Sequence, residues 1–119
     1  MATLGELERA VMDAVWDAPE PVSAYDVQAS LEAAGRSLAA TTLLTVLSRL
    51  EKKGLVASDR AVRPYRYAAV ASRADHVAEL MAEVLGDARD RSAVLARFVG
   101  SVSEEDAETL RALLRGSGS

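Results

Sequence analysis

Residues 41–56, TTLLTVLSRLEKKGLV, decide the fold of this chain. At about 100° per residue, a helix through this stretch collects four aliphatic side chains on one face: Leu43, Val46, Leu47 and Leu50. The rest of the helix surface carries Thr41, Thr42, Leu44, Thr45, Ser48, Arg49 and Lys52. Threonine is a poor helix former because its branched side chain loses freedom in a helix. Three threonines on one short helix therefore indicate that its exposed face has a function.

Short hydroxyl side chains suit a helix that lies in the major groove of DNA, because they let the helix approach the base edges. A threonine methyl can contact a thymine methyl, and its hydroxyl can hydrogen-bond a base or a phosphate. Arg49 and Lys52 follow in the C-terminal half of the helix, where cations would pair with phosphates. An ordinary solvated helix face is also polar, so this helix alone leaves both interpretations open.

The neighbouring sequence predicts two helices before this one and a β-hairpin after it. Pro19 and Pro21 end the first helix, Ser23 and Asp26 form a capping box that begins the second, and Gly35 ends the second. After the third helix, β-favouring residues flank a polar turn. The predicted helices and strands lie at about residues 4–17, 23–35, 40–53, 55–59 and 65–69.

Two helices joined by a short turn and followed by a hairpin make a winged helix-turn-helix. In that motif the second helix of the pair enters the major groove and the wing reaches the flanking backbone. Arg60, Arg63 and Arg66 lie in or beside the predicted turn of the hairpin. Charges also protect the exposed edge of an ordinary hairpin, but a basic hairpin that follows the hydroxyl-rich helix favours DNA binding. The candidate DNA contacts are Thr41, Thr42, Leu44, Thr45, Ser48, Arg49, Lys52, Arg60 and Arg63.

The distribution of charge supports a DNA-binding surface. The 119-residue chain has a net charge of −4, which by itself is unusual for a nucleic-acid binder. Residues 35–69 nevertheless hold seven of the 14 Lys and Arg residues and only two acids, Glu51 and Asp59. The middle third is thus a basic block between two acidic segments, and such a block can bind a polyanion although the whole protein is acidic.

The composition argues against several other classes of protein. The chain has no cysteine and one histidine, His76, so we expect no metal site, disulfide or thiol chemistry. It contains no phosphate-binding glycine loop and no nucleophile motif, so we expect neither enzymatic activity nor a cofactor. No segment approaches the roughly 20 apolar residues of a membrane span, and the N-terminal residues lack a signal-peptide pattern. We therefore expect a cytoplasmic protein without direct membrane binding.

The sequence after Ser72 predicts three further helices, which Gly86 and a capping box at Ser103 and Asp106 separate. Their apolar stripes exceed what the preceding elements need for a core, so they either form a second small core or pair with a second chain. About fifty residues make a marginal core, which favours a homodimer that reads palindromic DNA. The candidate dimerisation residues are Val77, Leu80, Met81, Val84, Leu85, Leu95, Phe98, Leu110, Leu113 and Leu114.

The expected fold is therefore mainly α with a small β-hairpin wing. We assign residues 1–70 to a winged helix-turn-helix DNA-binding domain and residues 71–119 to a helical dimerisation domain. In this arrangement we expect Trp16, Tyr25 and Tyr67 to be packing residues. We expect His76 to be a solvated or capping residue at the start of the fourth helix.

Four segments resemble the penicillinase repressor family, the BlaI/MecI-type transcriptional repressors, and the resemblance extends over nearly the whole chain. The segment 41–56 is the most specific of the four, with its arginine–leucine pair and its lysine–lysine–glycine ending. The four are LGELERAVMDAVW (4–16), TTLLTVLSRLEKKGLV (41–56), RPYRYAAV (63–70) and LARFVGSVSEEDAETLRALL (95–114).

The resemblance implies a dimeric repressor whose C-terminal helices interlock two chains. Repressors of this family bind palindromic operators ahead of β-lactamase or penicillin-binding-protein genes. A sensor-activated protease cleaves their C-terminal domain when the cell meets a β-lactam, and the matching bond here joins Arg97 and Phe98. Threonines of the third helix would read bases, and basic residues of the helix and the wing would hold the backbone. By position, these residues are Thr41, Thr42, Thr45, Arg49, Lys52, Arg60 and Arg63.

Three features depart from better-known members of the family. Some members have a basic residue where Leu44 stands, and their cleaved bond is Asn-Phe, whereas Arg97 precedes Phe98 here. A copper-responsive branch uses a C-terminal cysteine cluster that this chain lacks. The regulated genes therefore stay open between β-lactamase or related stress genes and an unrelated regulon, such as respiration or envelope stress, with another inducer. A winged helix that contacts a partner protein instead of DNA is a further alternative.

Overall fold

The computed structural model describes residues 4–117, and its elements follow the predicted order. Strands β1 (Val56–Asp59) and β2 (Arg66–Ala69) form an antiparallel hairpin. The fold class, mainly α with a small β-hairpin wing, is confirmed. The helices are α1 (Glu6–Asp17), α2 (Ala24–Ala33), α3 (Ala40–Lys52), α4 (Arg73–Gly86), α5 (Arg91–Ser101) and α6 (Glu104–Ser117).

Backbone contacts divide the chain into two compact units, residues 1–80 and 81–119. The division falls inside α4. The first unit holds α1, α2, α3, the hairpin and the first part of α4. The second unit holds the remainder of α4 together with α5 and α6.

The core of the first unit lies between α1, α2, α3 and the hairpin. The four aliphatic residues that the α3 periodicity singled out, Leu43, Val46, Leu47 and Leu50, are all buried. Burial of one such side chain contributes roughly 1.5–3 kcal/mol, so this stripe anchors α3 and leaves its other face exposed. The other buried members of the core are Val11, Met12, Val15, Ala24, Val27, Leu31, Val56 and Tyr67.

Local signals fix the ends of α2 and α3 as predicted. The Asp26 N–H donates to Ser23 Oγ (3.1 Å), and the Ser23 N–H donates to Asp26 Oδ2 (2.9 Å), so the capping box is present. Gly35 (φ +91°) and Gly54 (φ +80°) follow α2 and α3 in the left-handed region. Glycine adopts this conformation without steric cost, which lets the chain turn directly after each helix.

A third backbone segment joins the hairpin. Val22, between α1 and α2, pairs with Tyr67 of β2 through two hydrogen bonds: the Val22 N–H donates to the Tyr67 carbonyl (2.9 Å), and the Tyr67 N–H donates to the Val22 carbonyl (2.7 Å). Tyr67 itself is buried, as the packing prediction required. The hairpin is therefore fixed to the connection that precedes α2.

His76 corrects the prediction of a solvated or capping residue. Its side chain is buried, and its ring centroid lies 5.5 Å from that of Trp16. The Trp16 Nε1–H donates to the Ala71 carbonyl (3.0 Å), which holds the indole beside the start of α4. Neither ring nitrogen of His76 has a hydrogen-bond partner within residues 4–117. From its position in the first turn of α4, His76 was predicted to be exposed. The prediction failed because the sequence does not reveal that this turn packs on α1.

Tyr25 also differs from its prediction. We expected a core or helix-packing residue, but its side chain is 59% exposed. Its place on α2 lies away from the face that Ala24, Val27 and Leu31 bury. Trp16, by contrast, is half-buried against the core, as expected.

The second unit shows no buried side chain among residues 81–116. Its helices begin where their capping residues lie: the Ala93 N–H donates to Asp90 Oδ1 (3.1 Å), and the Asp106 N–H donates to Ser103 Oγ (3.1 Å). In the described part of the whole chain, no helix combines the length and apolar character that a bilayer crossing requires. The same residues contain no group of three or more potential metal ligands.

Candidate nucleic-acid interface

The exposed face of α3 gathers every DNA contact that the sequence predicted on this helix. The Thr45 Oγ1–H donates to the Thr41 carbonyl one turn earlier (3.1 Å). This bond satisfies the hydroxyl donor inside the helix, so Thr45 presents its methyl group and its oxygen lone pairs to solvent. Leu44 is 42% exposed, an apolar side chain on an otherwise polar surface. The exposed set is Thr41, Thr42, Leu44, Thr45, Ser48, Arg49 and Lys52.

The basic residues at the C-terminal end of α3 fall into two groups. Within residues 4–117, the side chains of Arg49 and Lys52 form no ion pair, and both are exposed. Lys53, which follows them, instead pairs with Glu8 of α1 (2.7 Å). This bond from Lys53 is the main reason that the pKa of Glu8 lies below its ordinary value. Arg49 and Lys52 therefore keep their charge for an external anion, whereas Lys53 joins two helices.

The wing is the turn between β1 and β2, residues 60–65, and it carries two exposed arginines. The Ala61 N–H donates to Asp59 Oδ1 (3.0 Å), which closes the start of the turn. The guanidinium carbons of Arg60 and Arg63 lie 5.3 and 4.6 Å from the centroid of the Tyr65 ring. A cation over an aromatic face is attracted by the ring quadrupole, so Tyr65 gathers both arginines at the wing.

Arg66 lies beside the wing but is bound to α2. Its Nη1 donates to Asp26 Oδ2 (3.4 Å) and to the Pro21 carbonyl (3.4 Å). The pKa of Asp26 is lowered, first by the hydrogen bond from the Ser23 N–H and also by the charge of Arg66. Arg66 therefore fixes the hairpin to α2 rather than extending the basic surface.

Glu51 is a residue of this surface for which the sequence predicted no role. Its Oε2 accepts a hydrogen bond from the Ser58 hydroxyl (2.7 Å), and its Oε1 accepts one from Arg60 Nη2 (3.1 Å). These bonds, that of Ser58 first, lower the pKa of Glu51. The sequence places Glu51 in the middle of a basic block, and an acid at such a position predicts a specific partner. The spacing alone does not identify which residue that partner is.

The predicted dimerisation residues form a largely exposed apolar surface. Val84 is 72% exposed and Leu114 is 70% exposed. In the second unit, an apolar groove of about 310 Å³ is lined by Met81, Val84, Leu85, Val94, Leu95 and Phe98. Leu80, Leu85 and Leu110 are half-buried, and the remaining predicted residues are exposed: Val77, Met81, Val84, Leu95, Phe98, Leu113 and Leu114. Val94 and Val99, which that prediction left out, are exposed as well.

The bond between Arg97 and Phe98 lies inside α5. Both side chains are exposed. Because the peptide is helical at this point, a protease that binds its substrate in an extended conformation would have to unwind part of α5 first.

In this winged helix, the second helix of the helix-turn-helix exposes hydroxyl and basic side chains. That arrangement is typical of transcriptional regulators. A sequence profile of the penicillinase repressor family matches residues 4–116, and the chain belongs to this family. It is 45% identical to the transcriptional regulator BlaI of Mycobacterium tuberculosis, in two strains, over 117 residues. The match includes 96% of this chain and 84% of the relative. Like these relatives, the protein is a regulator and not an enzyme.

Solved structures share the fold at low sequence identity. A MarR family protein from Bacillus stearothermophilus is 17% identical with a TM-score of 0.52, over 98% of this chain and 74% of that chain. The chain in the complex structure of hsRosR-S1 has 20% sequence identity to this protein and a TM-score of 0.54. The match covers 90% of this chain and 95% of that chain. These likenesses support the winged-helix architecture.

Proposed function

We propose that this regulator is a homodimeric repressor that binds a palindromic DNA operator through α3. The observation that carries the proposal is the exposed face of α3, where threonines lie beside two cations without an ion pair in residues 4–117. A buried leucine stripe holds this face outward. The geometry suits a helix that lies in the major groove.

The side chains of α3 divide into two kinds of contact. Thr41, Thr42 and Thr45 approach base edges, and the methyl of Thr45 suits a thymine methyl because its hydroxyl donor is already bonded. Leu44 makes a second apolar contact with a thymine methyl. The remaining polar residues, Ser48, Arg49 and Lys52, hold the phosphate backbone, and the wing with Arg60 and Arg63 reaches the flanking backbone.

Dimerisation is proposed through α4, α5 and α6, with DNA binding assigned to residues 1–70 and dimerisation to residues 71–119. The proposal is supported by the absence of any buried side chain among residues 81–116 and by the apolar groove beside Phe98. Helices whose apolar side chains stay partly exposed in the single chain gain only part of the hydrophobic stabilisation that drives folding. A second copy that covers this surface supplies the rest of that stabilisation, and two-fold symmetry pairs the two winged helices with the two halves of a palindrome.

The regulated genes that we propose are β-lactamase, penicillin-binding-protein or related stress genes. The site of action that we propose is the cytoplasm. Membership of the penicillinase repressor family supports this assignment. We further propose that a sensor-activated protease relieves repression by cutting between Arg97 and Phe98, which destroys the dimer surface on α5. Cleavage requires α5 to unwind locally, so it is expected to be slow in the intact dimer.

Selection of bound fragments from the source genome tests the proposal. The purified protein is incubated with sheared genomic DNA, and the retained fragments are sequenced. We expect enrichment of a palindrome upstream of a small number of genes, whose identity then gives the regulon. Uniform recovery of all fragments would contradict sequence-specific repression, and enrichment beside unrelated genes would replace the proposed regulon.

A further inference from the structure

The three side chains of Glu51, Ser58 and Arg60 form a closed set of hydrogen bonds that joins α3 to strand β1 and the wing. Ser58 donates to Glu51 (2.7 Å), Arg60 Nη2 donates to Glu51 (3.1 Å), and Arg60 Nε donates to Ser58 Oγ (3.1 Å). One edge of the guanidinium fork is thus already used. The guanidinium also lies over Tyr65, so Arg60 is held on two sides.

The two wing arginines differ in whether an acid pairs with them. Glu51 neutralises Arg60 through an ion pair. Arg63 donates to the carbonyls of Arg60 and Val62, which carry no formal charge, and it makes no ion pair with an acid in residues 4–117. Salt dependence of DNA binding counts the cations that displace condensed counterions from phosphates. An arginine that is already paired with an acid displaces no counterion, whereas Arg63 displaces one.

Glu51 requires an explanation if α3 lies against DNA. It precedes Lys52 and stands two residues after Arg49 on the same helix. A carboxylate near phosphates weakens the approach of DNA through like-charge repulsion. The hydrogen bonds to Ser58 and Arg60 offset that repulsion by fixing the wing to α3.

We propose that Glu51 is a positioning residue that holds Arg60 and thereby sets the wing relative to α3, while Arg63 makes the phosphate contact. This inference rests on the proposed function, because it assigns roles within a DNA complex. It revises one expectation: Arg60 orders the wing instead of binding the backbone. The pairing of Glu51 with Arg60 lowers the affinity for unrelated DNA. The ratio of operator affinity to unrelated-DNA affinity is therefore higher.

The first test compares two alanine variants by salt titration of operator binding. Arg63→Ala removes one phosphate contact from each of the two chains of the proposed dimer, so the slope of log affinity against log salt should become shallower by about 1.8, which is about 0.9 per contact. Arg60→Ala is expected to change this slope by less than half as much. A full decrease in Arg60→Ala would overturn the proposal, because it would show that Arg60 displaces a counterion.

The second test uses Glu51→Gln, which removes the negative charge and keeps the shape of the side chain. Freed from its partner, Arg60 gains access to phosphate, so we expect a steeper salt slope and severalfold tighter binding to an unrelated duplex. The ratio of operator affinity to unrelated-DNA affinity is expected to fall. Glu104→Gln on α6 is the matched control for net charge and should leave the slope unaltered. A slope in Glu51→Gln that is unchanged or shallower contradicts the proposal.

A measurement on the free protein separates this inference from the proposed function. The heteronuclear NOE of the wing amides reports their order without DNA, and it should fall in Glu51→Gln and remain high in Glu104→Gln. A wing that stays equally ordered in Glu51→Gln overturns the positioning role, whatever the protein binds. If instead the wing loses order but the wild-type protein binds no DNA, the proposed function fails while the link between Glu51 and the wing stands.

Discussion

Single residues of α3 divide into a buried set, which packs, and an exposed set, for which we propose a role in recognition. Leu43, Leu47 and Leu50 are fully buried, whereas Thr41 and Thr45 face solvent. The Thr45 hydroxyl donates to the Thr41 carbonyl, so this donor has a partner within the helix. The threonines give the helix an outer face of small side chains.

Replacement of Thr45 by glutamate tests this recognition role. Thr45→Glu sets a carboxylate against phosphates, and such like-charge contacts cost several kcal/mol, so operator affinity should fall by at least about 100-fold. Fluorescence anisotropy measures the affinity, and sedimentation checks that the dimer persists. Thr45→Ser, which keeps the hydroxyl and removes only the methyl, is the matched control and should lose far less. Wild-type affinity in Thr45→Glu would mean that α3 does not lie in the groove.

His76 supports a prediction about stability. Its buried imidazole has no hydrogen-bond partner in residues 4–117, and a buried polar group without a partner costs about 1–3 kcal/mol. His76→Leu removes that cost but loses the ring contact with Trp16, so the free energy of unfolding should rise by about 1 kcal/mol. Denaturant titration measures it. A decrease of the same size would show that the imidazole is stabilising.

At the scale of elements, the sequence predicted what local signals control. The capping box at Ser23 and Asp26 and the glycines after α2 and α3 fix helix ends within a residue or two, because each acts over one turn. The burial of His76 depends on Trp16 of α1, which is distant in the chain. The partners of Glu51, Ser58 and Arg60, lie on the hairpin, beyond the helix whose periodicity was used. The exposed α3 face was predictable from the helix wheel, whereas the hydrogen bonds that hold Arg60 were not.

The contact between α1 and the end of α3 leads to a pH prediction. The pKa of Glu8 is lowered in the folded state, first by its hydrogen bond with Lys53. Its contribution to stability is therefore present above the ordinary carboxyl pKa of about 4.3 and is lost as the pH falls through the lower folded-state value. Glu8→Gln removes this contribution, about 0.5–1 kcal/mol for such a pair.

Denaturant titrations of wild type and Glu8→Gln between about pH 3 and pH 7 measure this difference. The unfolding free energies should differ at neutral pH and converge as the pH falls. Asp26 and Glu51 also have lowered pKa values, but both proteins retain them, so the difference isolates Glu8. A constant difference across this range would show that the Glu8 charge is not involved.

At the scale of the whole molecule, the exposed apolar surface of the second unit supports the proposed dimer. None of residues 81–116 is buried in the single chain, and Phe98 is 45% exposed beside an apolar groove. We predict a dimer in sedimentation at roughly tens of micromolar. Phe98→Asp places a charge on this surface and should shift the protein to monomer, while Arg97→Ala, one residue away, should leave the dimer intact. A wild-type monomer at that concentration would refute the dimer.

The most direct test of the account is a salt titration of binding to the selected operator and to a scrambled duplex of the same length. Between about 50 and 200 mM salt, operator affinity should fall steeply, with a log–log slope of about −0.9 for each phosphate contact. At every salt concentration the operator should bind at least about 1,000-fold more tightly than the scrambled duplex. Equal affinity for the two duplexes, or no dependence on salt, would contradict a repressor that reads DNA with α3.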